Sequence, residues 1–352
     1  MMGMRVVFRV EGEPNIGLGH VMRCLALAQS LVKNGHEVFF FMSQRSQLFC
    51  RDRAGWLGEI LSIPDININE EPEWLATQCK DLRADWLVLD GYQFDQDYRK
   101  FLQCNSVKFA VFDDMNNSGA LYAEMVINGA VNSGSQRYQI TAPKALLAIG
   151  QDYQVLRQEF LQLVSKKWSV RKGLTLMFGG SDPKNLTIMA IQSLCNVNAA
   201  EPVNMPITVI TGAAYGRLHG LTDLINSSDL DITHLHDCQN MAPVLVNTKL
   251  ALSAAGGSQF ELLACATPSL LVVVAENQKK ASQDAANQGW CQVVNNDDLS
   301  ADEWVMQCLS LWQQPELLRL MHQRALLYPA LDGAKNIVEL MSNQKIIRAQ
   351  AE

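Results

Sequence analysis

The chain is 352 residues long, 48% hydrophobic and only 18% charged, which excludes a disordered polypeptide and supplies apolar surface for two domains rather than one. Its formal charge of −7 argues against nucleic acid as a partner. An anionic small ligand remains compatible, because a loop of backbone amides binds phosphate inside an acidic protein.

Nine cysteines are scattered, odd in number and without a Cys-x-x-Cys pair, and they read as reduced core thiols of a cytoplasmic protein. The N-terminus opens on a strand-like run with no leader pattern, and the apolar runs are strand-sized, so no membrane insertion is expected.

In chain order, the first half offers strands at Met4–Val10, Glu37–Met42, Trp86–Asp90, Val107–Asp113, Met125–Asn128 and Ala145–Ile149. Their near-continuous apolar character suits a parallel sheet covered on both faces. After the first strand, Gly17-Leu18-Gly19-His20 opens a helix with Val21, Leu25, Ala28 and Val32 on one stripe and Gly35 as its C-terminal stop. Asp90-Gly91-Tyr92 and Asp113-Asp114 end strands at the edge where such sheets bind ligands. Asp95-Gln96-Asp97 has the spacing of a metal-binding pair, but it falls where a helix starts and reads better as N-capping acids.

Lys166 to Gly173 is basic and turn-prone and reads as a linker. The second half then repeats the programme, with strands at Leu174–Phe178, Ile207–Thr211, Ile232–Leu235, Leu250–Ser253 and Leu270–Ala275. The expected organisation is an N-terminal Rossmann-like domain over 1–165, a C-terminal nucleotide-binding domain over 173–330, and a helical tail over 331–352 that can cross back to the first domain. Two doubly wound α/β halves imply a ligand cleft facing the carboxyl ends of both sheets.

Two Gly-rich junctions carry the chemistry. Gly17-Leu18-Gly19 lacks the third glycine of a dinucleotide loop, and Gly179-Gly180-Ser181-Asp182 has no following Gly-Lys-Ser/Thr. A Gly-x-Gly turn before a helix serves tight packing as readily as binding. His20 adds a functional side, because the positive end of a helix favours a neutral ring that can act as a base. Gly256-Gly257-Ser258 can admit a diphosphate to the backbone, with Glu261 accepting ribose hydroxyls. The bland alternative is a capping box, Ser258-x-x-Glu261. Glu276-Asn277-Gln278 leaves the next strand at the same edge. His234 and His236 alternate along a strand with no ligand set beside them, so no metal is expected.

Phe8-Arg9-Val10 with Ile16 through Leu25, Tyr153 with Leu156 through Phe160, Gly179 through Asn185, Ala255 through Ser258 with Glu261, Ala275 through Gln278, and Asp332-Gly333 together resemble the UDP-2,4-diacetamido-2,4,6-trideoxy-β-L-altropyranose hydrolases of pseudaminic acid biosynthesis (the PseG family). The resemblance spans nearly the whole chain. It implies a GT-B-like fold of two Rossmann-type domains and a metal-independent, cofactor-free reaction in which water displaces UDP at the anomeric carbon with inversion.

Carried across, His20 is the general base on a bend formed by Gly17 and Gly19, and Asp90, Tyr92 and Arg157 join the substrate-binding set. Gly256, Gly257 and Ser258 hold the diphosphate and Glu261 the ribose. Asn277 and Gln278 sit at the sugar–phosphate boundary, with Gly179, Gly180, Ser181 and Asp182 nearby. Glu11-Gly12 and Gly91 depart from the family pattern on the sugar-facing side. The expected partner is a UDP-sugar alone, bound by a monomer. The alternatives are a GT-B glycosyltransferase using a UDP-N-acetyl-sugar donor and a nucleotide-sugar-binding protein without catalysis. No compact basic-apolar docking segment stands out in the first domain, which favours water as the acceptor.

Overall fold

A computed structural model describes residues 3–12, 18–130, 137–163, 167–328, 330 and 332–349. The chain divides into two compact units. The first comprises Met1–Glu13, His20–Gln158 and Leu331–Glu352, and the second Pro14–Gly19 and Glu159–Ala330.

The first unit is built on β1 (Arg5–Val10), β2 (Glu37–Met42), β3 (Glu59–Ser62), β4 (Trp86–Asp90), β5 (Phe109–Phe112), β6 (Met125–Asn128) and β7 (Leu146–Ile149). They form one sheet in the order β3-β2-β1-β4-β5-β6-β7, every neighbouring pair parallel. Parallel strands need crossovers, and helices then cover both faces, so successive residues of one strand enter opposite cores. Val6 and Phe8 of β1 pack with Phe40, Trp86 and Val88 on one face. Val7 packs with Phe41, Leu87 and Leu89 on the other.

The helix Gly19–Lys33 lies on the first face and buries Cys24, Leu27 and Leu31 as well as the expected Val21, Leu25 and Ala28, while Val32 is only partly buried. Gly35 follows it at φ +79°, the left-handed stop that glycine adopts without strain. The last helix, Gly333–Ala349, sends Ala334, Ile337, Val338 and Met341 into the same core. Trp86 Nε1 donates to the Met341 carbonyl at 3.3 Å.

The second unit carries β8 (Lys172–Met177), β9 (Ile207–Thr211), β10 (Ile232–His236), β11 (Thr248–Ala254), β12 (Ser269–Val273) and β13 (Cys291–Asn295). Their order is β10-β9-β8-β11-β12-β13, again all parallel. Leu174, Leu176, Leu250, Leu252, Leu270 and Val272 form its core with Ile191, Leu194 and Trp304 from the covering helices.

In each sheet the winding direction reverses once, between β1 and β4 and between β8 and β11. The loops leaving these strands diverge to opposite faces and open a crevice at the carboxyl edge, the usual ligand position in such sheets. Those four loops lead to His20, Gly91, Gly179 and Gly256.

Eleven expected strands are present, four with the expected bounds and the others displaced by one or two residues at one or both ends. Two were not foreseen. Residues of β3 are half-buried to exposed and those of β13 mostly half-buried, because both are sheet edges and lack the apolar run of a central strand.

The proposed linker is a different matter. Lys166 lies outside the described residues, Lys172 and Gly173 already belong to β8, and Arg171 is buried. Its guanidinium donates to the carbonyls of Leu245, Thr248 and Cys265 and to the Thr267 hydroxyl. The basic residue is therefore a tie between helix ends rather than a solvated charge, and burial lowers its pKa to about 10.

Candidate active site

Asp90 is the last residue of β4 and pairs in register with Val10 of β1, so it stands at the reversal point of the first sheet. Its carboxylate is fully buried. A buried charge must be compensated, and three side chains of the helix Gly19–Lys33 do so. His20 Nδ1 lies 2.6 Å from Oδ1. Arg23 donates from Nε to Oδ2 and from Nη2 to Oδ1, both at 2.6 Å. The Cys24 thiol donates to Oδ2 at 3.5 Å. Residues three and four apart share a helix face, and the helix presents all three to one carboxylate.

Arg23 also binds Asp114, beyond β5, with Nη1 2.8 Å from Oδ1 and Nη2 3.3 Å from Oδ2. The Phe112 ring lies 4.8 Å from the guanidinium carbon. Tyr92 donates its hydroxyl to Asp114 at 3.0 Å and sets its ring edge-on to His20, centroids 5.0 Å apart.

Burial works to raise the Asp90 carboxyl, but Arg23 and then His20 outweigh it and bring its pKa down to about 2. Asp114 is lowered for the same reason, Arg23 overcoming burial. Burial opposes the charge on Arg23, yet Asp114 and Asp90 raise it well above its ordinary value. Both carboxylates and the guanidinium are thus charged at neutral pH. With a neutral imidazole the group carries one net negative charge, and a proton taken up by His20 cancels it. An ionised Asp90 accepts from Nδ1–H, which leaves Nε2 with its lone pair as the basic atom.

Arg23 was not singled out by sequence reasoning, although its place one turn after His20 was the available signal. Asp113 and Asp114, both just beyond β5, have different partners. Asp114 joins the site, whereas Asp113 receives Tyr138 Oη at 2.6 Å and the Asn116 amide at 2.8 Å.

Glu11 does not present its carboxylate outward. It is buried against Arg9 at 2.6 Å and accepts from the Ser43 amide and hydroxyl and from the Ser46 hydroxyl. It therefore anchors the end of β1 to the start of the helix Gln44–Leu48. Gly91 has φ +152°, and a side chain there would collide with the Gln93 carboxamide, which fills that space. Asp95 caps the helix Gln96–Cys104 by accepting from the Tyr98 amide at 2.9 Å, as expected of an N-capping acid. Gly17 lies outside the described residues. Among the described residues, nothing lies within 4 Å of the position a Cβ would take at Gly19. Arg157 is half-buried just ahead of the helix Gln158–Leu161.

In the second unit, Gly179, Gly180, Ser181 and Asp182 leave β8, and Gly256, Gly257 and Ser258 leave β11. Gly179 is exposed with φ +90°, and Gly180 packs closely on Gly212 of the neighbouring loop. The Asp182 carboxylate is committed to the protein. It is buried and accepts from the Leu186 and Thr187 amides at 2.9 and 2.8 Å, closing the start of the helix Leu186–Ala200.

Among the described residues, Gly256 has only Gln278 Nε2 near the position of a Cβ, at 3.7 Å, and Gly257 has nothing within 4 Å. These glycines leave open backbone. The helix Ser258–Ala264 begins at Ser258 itself, with Gly257 as its cap residue and no side-chain cap, so the Ser258–Glu261 capping box is not formed. A box requires the serine one position earlier, outside the helix. Glu261 is half-buried within that helix. Asn277 and Gln278 occupy the first turn of the helix Glu276–Asn287, and Gln278 Oε1 accepts from the Val274 amide at 2.9 Å. His234 and His236 both share the Thr211 hydroxyl, at 2.8 and 3.1 Å. Among the described residues, no helix is long and apolar enough to cross a membrane.

By fold the chain is GT-B-like, the class to which its two reversal-point sheets point. It is similar over 97% of its length to MurG of Acinetobacter baumannii, covering 99% of that chain with a TM-score of 0.65 at 15% identity. It is likewise similar to MnaA of S. aureus, in a structure with UDP, over 95% of each chain with a TM-score of 0.66 at 11% identity.

Among sequence relatives, the UDP-2,4-diacetamido-2,4,6-trideoxy-β-L-altropyranose hydrolase of Campylobacter jejuni is 25% identical over 294 residues, 82% of this chain and 98% of that protein. The spore coat polysaccharide biosynthesis protein SpsG of Bacillus subtilis is 23% identical over 342 residues, 96% of both. An uncharacterized protein of Methanocaldococcus jannaschii is 26% identical over 292 residues, and the match spans 58% of that longer protein. No family model matches the chain. The resemblance read from its motifs is met by a relative that carries that hydrolase's name.

Proposed function

We propose that the chain is an inverting UDP-sugar hydrolase, that its substrate is UDP-2,4-diacetamido-2,4,6-trideoxy-β-L-altropyranose, and that its place is nonulosonic acid synthesis in the cytoplasm. The observation that carries this is the His20 ring, oriented through Nδ1 by a fully buried carboxylate at the reversal point of a doubly wound sheet. The name of the Campylobacter relative supports hydrolysis and this sugar.

His20 Nε2 takes a proton from water as the water oxygen bonds to the anomeric carbon. The bond from that carbon to the diphosphate oxygen breaks, and UDP leaves with the electron pair. The imidazolium is stabilised by Asp90, and the net charge of the group of His20, Arg23, Asp90 and Asp114 goes from one negative to zero. UDP is a good leaving group, so hydrogen bonds from open backbone suffice at the diphosphate and no metal is required. In this reading Gly256, Gly257 and Ser258 hold the diphosphate and Glu261 the ribose, while Asn277 and Gln278 sit at the sugar–phosphate boundary with Gly179, Gly180 and Ser181 nearby. Asp182 acts behind them by fixing its loop. Gly19, Tyr92 and Arg157 serve the sugar side.

Incubation with the UDP-sugar and no acceptor should release UDP and a reducing sugar, with proton NMR reporting the anomer first formed. His20→Asn should abolish release while UDP still binds, and EDTA should change nothing. A wild-type protein that binds the nucleotide sugar without turnover, or turns over only when an acceptor alcohol is added, would overturn hydrolysis. The second outcome would identify a transferase.

A further inference from the structure

We propose that Arg23 is a positioning residue that locks His20 in the Nδ1–H tautomer and ties it to Tyr92. Its activity arm rests on the hydrolase reading above; its spectroscopic arm does not.

The guanidinium uses two edges. One edge grips both oxygens of Asp90, and the other reaches both oxygens of Asp114. Forked pairing of this kind fixes a carboxylate in orientation as well as in charge. Asp90 so held has no freedom to turn away from the imidazole. Arg23 Nη2 also lies 3.2 Å from His20 Nδ1. A guanidinium only donates, so a bare Nδ1 would face this donor but also Asp90 Oδ1 at 2.6 Å, lone pair against lone pair. Relieving that repulsion would require a proton on Asp90 and the loss of half its pairing with Arg23. The permanent positive charge of Arg23, bound to both oxygens of the carboxylate, opposes that proton, and the hydrogen of the pair stays on Nδ1.

Arg23 also joins His20 to Tyr92, because Asp114 holds the guanidinium and the Tyr92 hydroxyl together. The charged and titratable groups facing His20 among the described residues are Asp90 from β4, Arg23 and Cys24 from its own helix, Tyr92 beyond β4 and, through Arg23, Asp114 beyond β5. Lysine keeps the charge but lacks the fork, which separates electrostatics from geometry.

The test is nitrogen-15 NMR of imidazole-labelled protein without substrate, His20 assigned by its loss in His20→Asn, on wild type, Arg23→Lys and Arg23→Gln. Wild type should show His20 as the Nδ1–H tautomer. Arg23→Gln should show a mixture of tautomers, and the pH at which the ring protonates should move upward as the nearby positive charge is lost. Turnover should fall about 100-fold with kcat affected more than KM, the scale expected when a catalytic group is misplaced by about 1 Å, and the acid limb of the kcat profile should move to higher pH. Arg23→Lys, the variant least prone to misfold, should keep the acid limb near wild type and still lose tautomer purity and turnover. Unchanged His20 signals in both variants would overturn the proposal. If wild type releases no UDP but the NMR changes appear, the lock stands and the hydrolase reading fails.

Discussion

Replacing Asp90 by asparagine keeps the shape of the side chain and removes the charge on which His20 and Arg23 converge. Its pKa is lowered from 3.8 to about 2 in the folded protein. At about 1.4 kcal/mol for each tenfold change in proton affinity, this pairing contributes about 2 kcal/mol of stability. Because the folded value lies below the unfolded one, that contribution is complete above about pH 4 and is lost as pH falls through 2. By pH 3 about half of it remains. Asparagine resembles the protonated acid, so Asp90→Asn should be about 2 kcal/mol less stable than wild type at pH 6, and the gap should narrow to about 1 kcal/mol at pH 3. Urea denaturation followed by tryptophan fluorescence measures both, since Trp86 is fully buried in the same unit. Sugar release by the variant should fall about 1000-fold or more, because an amide cannot fix the imidazole tautomer or balance the imidazolium. A stability gap identical at pH 6 and pH 3 would refute the electrostatic account of this carboxylate.

Asp182→Ala removes an acceptor from two helix-starting amides and should cost about 1–3 kcal/mol, read as a lower Tm, with Asp182→Asn recovering part of it. Gly91→Ala places a side chain at φ +152° against Gln93 and should lose about 1–3 kcal/mol. Adding Gln93→Ala relieves the collision but not the backbone cost, so full recovery in denaturation would show that φ is not limiting. Ser258→Ala should leave Tm unchanged, since no side-chain cap is present. Glu261→Ala should raise KM for the nucleotide sugar, and an unchanged KM with a lower Tm would assign Glu261 a purely structural part.

The expected strands came through because a central parallel strand must be apolar on both sides, a local property of Trp86 to Leu89 or Leu250 to Leu252. Edge strands escape that rule: of the four, β7 and β10 were found from their short apolar runs, and β3 and β13 were missed. His20 and the strand-ending Asp90 were legible for a related reason. A glycine turn after one strand and an acid closing another mark the carboxyl edge whatever the rest of the fold does.

What the sequence alone determined, then, is the kind of sheet, the carboxyl edge that carries the candidate site, and the histidine standing there. Tertiary structure decided which groups that histidine meets. Arg23 reaches Asp90 across 67 positions and Asp114 across 91, and no periodicity of 2 or 3.6 residues encodes such a pairing. It also decided which polar residues are committed to the protein itself. Glu11 is buried against Arg9, Ser43 and Ser46, Arg171 against carbonyls and Asp182 against helix amides, because desolvated charges take the nearest partners that packing supplies. Ser258 is within its helix, and that shift of one residue, invisible in the spacing Ser-x-x-Glu, separates a capping box from an open loop.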